Sequence, residues 1–265
     1  MKKILITGGA GYIGSKLATR LLNMNYEVTI LDNLMFSDNS LNHLFSKKKF
    51  KFFKVDTNNK KFVKKHLKNK DIVIPLAALV GAPLCEKFKK LAVETNLNAI
   101  DYIVKNLKNN QKIIYPTSNS GYGIGEKNKY CDEKSPLNPI SLYGKTKSEA
   151  EKKVLKFKNS VCFRLATIFG YSYRMRTDLL VNNFVFRAIK ERKLSLFQPN
   201  FRRNYIHVED VVSAFIFAIE NFTKVKGEIF NLGLSSANLT KLQLAKRIKK
   251  QLPELKITLE HITTK

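Results

Sequence analysis

The stretch ILITGGAGYIGSKLATRLL, residues 4–22, constrains this chain more than any other. A short apolar run meets Gly8, Gly9, Gly11 and Gly14, and then passes into amphipathic helical spacing. Gly9, Gly11 and Gly14 fit the pattern G-x-G-x-x-G. Glycines there permit a tight turn and let the backbone approach a pyrophosphate, while the following helix offers N–H donors and its positive dipole end. The next strand-like run, EVTILD, ends on Asp32 at the separation expected for a βαβ unit. A carboxylate in that place accepts from the ribose hydroxyls of NAD and repels a 2′-phosphate, so NAD is expected over NADP. An ordinary glycine turn before a strand-ending aspartate is the plainer alternative. The register of all these elements speaks against it.

The rhythm continues for two-thirds of the chain. Strand-like runs KKILIT, EVTILD, KFFKVD, DIVIPL, KIIYP and SVCFRL alternate with helical stretches, the longest near KLAVETNLNAIDYIVKNLKNN. Apolar strands alternating with helices predict a parallel sheet covered on both faces. The expected class is α/β, a doubly wound parallel sheet with helices on both faces and a smaller C-terminal α/β region. Residues 1–168 are expected to form the dinucleotide-binding domain and residues 169–265 a mixed substrate-binding region, which includes the strand candidates LSLF and GEIFNLG. The helix 207–221 is expected to pack back on the first domain.

Composition narrows the functional classes. An apolar fraction of 44% in 265 residues supports a folded globule. No apolar run is long enough to span a bilayer, and the N-terminal apolar run is short and broken by glycines, which predicts a strand and not a signal peptide. Cys85, Cys131 and Cys162 have no metal spacing and no even pairing, so no metal site is expected and a cytoplasmic, reduced setting is. The formal charge of +27 raises the question of nucleic acid. It comes from 39 lysines and only 9 arginines spread over the whole chain, which favours a solvated lysine surface. An anionic small substrate gains from the same excess.

Two further stretches carry chemistry. In SLYGKTKSEAE, Tyr143 and Lys147 stand four apart and so share a helix face. A lysine ammonium one turn away lowers a phenol's pKa towards useful acid–base range. Upstream, TSNSGYG at 117–123 closes the run KIIYP with hydroxyls, an amide and two glycines. It is either a polar turn or the support of a reactive hydroxyl.

Taken together, TGGAGYIG, Asp32, Asp56 in KVDTN, PLAALVG, ETN at 94–96, TSNSGYG, YGKTK, FRLATIFG and RRNYIHVEDV resemble the extended short-chain dehydrogenase/reductase family, in its NAD-dependent nucleotide-sugar epimerase/dehydratase branch. The resemblance runs from the first residues to about Ser236. It implies a Rossmann fold and a catalytic set of Ser118, Tyr143 and Lys147. Ser118, four residues before Tyr122, would bond the sugar's 4-oxygen. Tyr143 would take or return the 4-hydroxyl proton while hydride passes to or from NAD, and Lys147 would lower the tyrosine pKa and hold the nicotinamide ribose. The resemblance further implies cofactor contacts from Gly8, Gly11, Tyr12, Ile13, Gly14, Asp32, Asn33, Asp56, Leu76, Ala77, Ala78 and Asn96. Substrate contacts are implied for Ser118, Asn119, Ser120, Asn182 or Asn183, and for Arg202 or Arg203, whose charged fork suits a pyrophosphate. His207 is expected to cap or pack at a helix start. A homodimer is implied through the long helix and the KTKSEAEKKVLKF helix.

The resemblance also discriminates between reactions. The branch's 4,6-dehydratases carry an Asp–Glu pair after the strand-end hydroxyl, and certain 3,5-epimerases carry a cysteine. Here Asn119 and Ser120 occupy those positions. C4 epimerisation through a transient 4-keto nucleotide sugar is expected, with a single-step reductase or dehydrogenase as the alternative. A non-catalytic NAD-binding module is the rival of another class. Relatives of this type continue for some tens of residues past Lys265 with an element that closes over the nucleotide, a departure that bears on activity and specificity.

Overall fold

The structure is a computed structural model of the chain, and it describes residues 1–36, 39–125 and 130–260. In its first half the chain forms β1 (Lys3–Thr7), α1 (Tyr12–Asn23), β2 (Glu27–Asp32), β3 (Phe50–Lys54), α2 (Lys60–Leu67) and β4 (Ile72–Pro75). There follow α3 (Ala82–Lys87), α4 (Lys89–Val93), a π-helical turn (Glu94–Asn98), α5 (Ala99–Lys105), β5 (Lys112–Ser118), α6 (Leu142–Leu155) and β6 (Ser160–Leu165). The remainder comprises β7 (Thr167–Phe169), α7 (Leu180–Glu191), β8 (Lys193–Leu196), β9 (Arg202–His207), α8 (Val208–Glu220), α9 (Phe222–Val225), β10 (Ile229–Leu232), β11 (Asn238–Thr240), α10 (Lys241–Gln251) and β12 (Lys256–Leu259).

Seven strands make one parallel sheet in the order β10-β6-β5-β4-β1-β2-β3. The chain winds outward from β1 to β3, then returns to place β4 on the other side of β1. That reversal leaves a crevice beyond the carboxyl ends of β1 and β4, the usual ligand position in such sheets. Alternation along each strand supplies the two faces. Ile4 and Ile6 join Leu17, Leu21, Val211 and Phe215 in a core with α1 and α8, while Leu5 joins Val63, Ile100, Ile103 and Val154 against α2, α5 and α6. Helix α8 thus packs against the sheet, and a Lys16–Glu209 ion pair ties it to α1.

Two features differ from the sequence expectation. GEIFNLG forms β10, which pairs with β6 through Ile229↔Cys162 to Leu232↔Leu165 and extends the main sheet, although the pattern placed it in the smaller region. The long amphipathic stretch is not one α-helix: a π-helical turn at Glu94–Asn98 separates α4 from α5 within it. Such wide turns re-aim side chains, and here Asn96 is buried within one. The smaller region holds a three-stranded sheet, β11-β9-β7, and the parallel pair β12-β8 around Val181, Phe184, Leu194, Tyr205, Leu244 and Leu255.

The close seating of α1 on β1 rests on Gly14. A Cβ there would lie 2.6 Å from the Gly9 Cα and 2.7 Å from the Gly9 carbonyl oxygen, both of them backbone atoms. Gly14→Ala is expected to cost about 1–3 kcal/mol by overpacking. The measurement is a urea melt, which should show a lowered midpoint with an unchanged m-value.

Candidate active site

A cavity of about 1270 Å³ opens at the carboxyl edge of the sheet, bordered by the glycine turn, the ends of β1, β2, β4 and β5, the start of α6 and the segment from Arg174 to Leu180. At one end the glycine turn is drawn tight by the Gly8 N–H donating to the Leu31 carbonyl at 2.8 Å. Asp32 is fixed by two backbone donors, Ala10 N–H at 2.9 Å and Leu34 N–H at 2.8 Å. Burial raises its pKa, and those two donors and the Arg174 charge oppose the rise. Asn33 donates to Asp56 at 3.0 Å, and Asp56 also accepts from the Asn58 N–H at 2.8 Å. Gly8, Gly11, Tyr12, Ile13, Gly14, Leu76, Ala77 and Ala78 all border the cavity.

These residues fit a dinucleotide. Helix α1 has no side chain capping its N-terminus and no acidic residue in its first turn, so the N–H groups of that turn, which have no partner within the helix, face the cavity. The fit assigns the glycines different work. The place a Gly9 side chain would take is filled by Ile30, whose carbons would lie 2.7 Å from a Cβ, so Gly9 serves the packing of the turn on β2.

At the other end β5 finishes on Ser118, which caps the 3₁₀ turn Asn119–Tyr122. The Ser118 hydroxyl accepts from the Ser120 N–H at 3.2 Å and donates to the Ser120 hydroxyl at 3.0 Å. Helix α6 starts directly against this turn: a Cβ on Gly144 would lie 2.8 Å from the Ser120 carbonyl oxygen. Ser141 caps α6 by accepting from the Gly144 N–H at 3.1 Å. Tyr143 and Lys147 therefore reach the same wall as Ser118.

Burial is the largest influence on both groups. Burial pushes the Tyr143 phenol up to about 12, and what opposes it is the Ser118 hydroxyl hydrogen bond and the Arg176 charge, while Cys85 adds to the rise. Burial pulls Lys147 down to about 7, with Cys162 and Glu151 opposing. Its ammonium sits 4.1 Å from the centroid of the fully buried Tyr115 ring.

Other predicted residues land unevenly. Asn119, Ser120 and Arg203 border the cavity, whereas Asn96, Asn182, Asn183 and Arg202 do not. Asn96 instead braces the loop after β4, accepting from the Leu79 N–H at 2.8 Å and donating to its carbonyl at 2.9 Å. Asn182 is committed to Gly170, Arg176 and the Tyr12 hydroxyl, and Arg202 donates to the Asn238 carbonyl at 2.8 Å. His207 caps α8 as expected. Sequence reasoning missed Arg174, Arg176 and Lys241, which also border the cavity. The charged run YRMRTD, right after a strand that leads from the sheet, was the available signal. Among the described residues no group of three or more His, Cys, Asp or Glu could hold a metal ion, and no helix is long and apolar enough to cross a membrane.

Residues 4–233 match the model of the NAD dependent epimerase/dehydratase family. The chain belongs to that family. A dTDP-D-glucose 4,6-dehydratase of Dictyostelium discoideum is 30% identical over 94% of this chain and 62% of its own length. A UDP-glucose 4-epimerase of Lactobacillus helveticus is 28% identical over 93% of this chain and 81% of its own. The chain thus spans less than two-thirds of the first relative and about four-fifths of the second. Among solved structures, a UDP-glucuronic acid 4-epimerase from Bacillus cereus, in complex with UDP-glucuronic acid and NAD, superposes with a TM-score of 0.85 at 25% identity, covering 97% of this chain and 85% of that one. The family's cofactor is the one that the glycine turn and Asp32 fit.

A lysine lowered from 10.5 to about 7 makes a signed prediction. Between those values the unfolded chain binds the proton and the folded chain does not, so stability of the cofactor-free protein rises with pH across that window and is lost as pH falls. Lys147→Met is expected to flatten this rise and to raise the thermal midpoint below pH 7. Calorimetry of both proteins between pH 6 and pH 10 checks it.

Proposed function

We propose that the protein is an NAD-dependent nucleotide-sugar epimerase that inverts C4 through a transient 4-keto sugar. The observation that carries the reading is the convergence of Ser118, Tyr143 and Lys147 on one cavity wall, beside Asn119 and Ser120. Asn119 and Ser120 stand where a carboxylate pair would remove water from the sugar or a cysteine would work at a second carbon, and neither side chain can do that work. The dehydratase relatives are therefore a guide to the fold of this site and less to its outcome.

The glycine turn, Asp32, Asn33, Asp56 and the loop after β4 would hold NAD, whose chemistry is to accept the hydride from C4 and to return it. Ser118 Oγ would hold the 4-oxygen of the sugar, and the Tyr143 hydroxyl would take its proton and later give it back. Lys147 would hold the nicotinamide ribose. Arg203, together with Arg174 and Arg176, supplies positive charge along the cavity for a diphosphate. Inversion needs the keto sugar to present its other face, so a nucleotide gripped at its phosphates with a loosely held sugar fits the reaction. A homodimer and a cytoplasmic setting complete the proposal. The first is supported by the family resemblance of the α4–α5 and α6 helices, the second by the three unpaired cysteines.

UDP-, GDP-, CDP- and dTDP-sugars assayed with catalytic NAD are expected to show C4 inversion for at least one. Stoichiometric NADH without inversion would instead mark a dehydrogenase, and NAD binding with no sugar-nucleotide binding a non-catalytic module. Tyr143→Phe is expected to lower kcat by about 10²–10⁴-fold while leaving NAD affinity nearly unchanged, as isothermal titration would record.

A further inference from the structure

We propose that Arg164 is a positioning residue that ties the turn holding Ser118 to the helix holding Tyr143. The inference deepens the proposed function and rests on it. Arg164 lies on β6 opposite Thr117 of β5, one residue before Ser118, and is 5% exposed. Its guanidinium spends its donors on three separate segments. Nε donates to the two Glu151 oxygens at 3.2 and 3.1 Å, and Nη2 donates to Oε1 at 2.7 Å. Nη1 donates to the Tyr122 hydroxyl at 2.9 Å and to the Glu133 carbonyl at 3.1 Å. Tyr122 also turns its ring face to the guanidinium, 5.1 Å away.

The segments so joined are those that carry the proposed chemistry. Glu151 lies four residues beyond Lys147 and eight beyond Tyr143, on the same face of α6. Tyr122 closes the turn that begins at Ser118. Glu133 belongs to the stretch leading into α6, and its carboxylate accepts from the Asn231 N–H at 2.6 Å. The Tyr122 hydroxyl passes the network on by donating to Asn231 at 2.6 Å, which anchors the turn to the edge strand β10. A buried ion pair adds little net stability, since desolvation offsets the attraction. What a planar fork adds is direction, and a lysine in its place cannot reach three segments at once. The distance between Ser118 and Tyr143 is thereby set from beneath, by a residue that touches neither the sugar nor the cofactor.

Tyr122→Phe removes the link to the turn and leaves the Arg164–Glu151 pair intact, while Arg164→Lys loosens every link. In NAD-loaded protein, each variant is expected to lose about tenfold in kcat, because small misplacements are costly in a preorganised site. KM and NAD affinity should stay within about twofold, the pattern of an interaction made in the transition state alone. A second readout follows Tyr143 directly, as tyrosinate absorbance with the corresponding Tyr143→Phe protein subtracted. Its titration should move to higher pH in both variants, since Ser118 no longer holds the phenol. Cys85 and Arg176, which also face that phenol, are unaltered in them. Wild-type kcat and an unmoved titration in Tyr122→Phe would overturn the proposal, whether or not Arg164→Lys folds. If the wild type turns over no nucleotide sugar, the functional reading fails, and the titration alone decides the role of Arg164.

Discussion

Parallel pairing puts every carboxyl end of the seven strands on one edge, and the site exists because of that constraint. The first five strands deliver the components: the glycine turn after β1, Asp32 at the end of β2, Asp56 after β3, Leu76 to Leu79 after β4, and Ser118 at the end of β5. The reversal of strand order between β1 and β4 holds two of these loops apart from the helices that would otherwise close over them. Gly8 then permits their backbones to touch. At φ +70° it takes a conformation that other residues resist, and a Cβ there would lie 2.4 Å from the Ala77 nitrogen. The cofactor end of the cavity is thus shaped by backbone proximity, with side chains added afterwards.

What was legible in the sequence was local. The glycine turn, Asp32 and the shared helix face of Tyr143 and Lys147 depend on spacings of a few residues, and short apolar runs mark β1 to β6. What was not legible depends on partners far along the chain. Strand β10 carries the same kind of short apolar run as an edge strand of a small sheet, and only its pairing with β6 assigns it to the main one. Asn182 looked like a free amide on a helix, yet Tyr12, 170 residues away, and Gly170 claim it. Asn96 turns inward because the helix widens into a π turn at that point, a local irregularity that its amphipathic spacing conceals.

The charge distribution shows the same division between global and local information. A formal charge of +27 suggests a uniformly cationic surface. At the cavity, however, Asp32, Asp56 and Asp178 stand among Arg174, Arg176, Arg203, Lys241 and Lys147. Asp32 and Asp56 lie near the glycine turn, with the Arg174 charge acting on Asp32, and Asp178 faces Arg176, so the cavity carries both signs where the whole chain is merely basic. Arg176 is itself paired with Asp178, which fixes the direction of its guanidinium.

That pairing bears on the chemistry of Tyr143. A phenol held near 12 is a poor base at neutral pH. The two groups that pull it downwards are Ser118 and Arg176, and both are placed by loops outside α6: one by the turn after β5, the other by the segment after β7. Tyr-x-x-x-Lys has the look of a self-contained unit, because both members share one helix and one face. In this fold the lysine is buried over the Tyr115 ring, and burial pulls it down to about 7. The groups that oppose the rise of the phenol are therefore set by the relative placement of two loops and a helix. Arg164, buried beneath the first of those loops and bonded to the helix, occupies the position from which that placement is held.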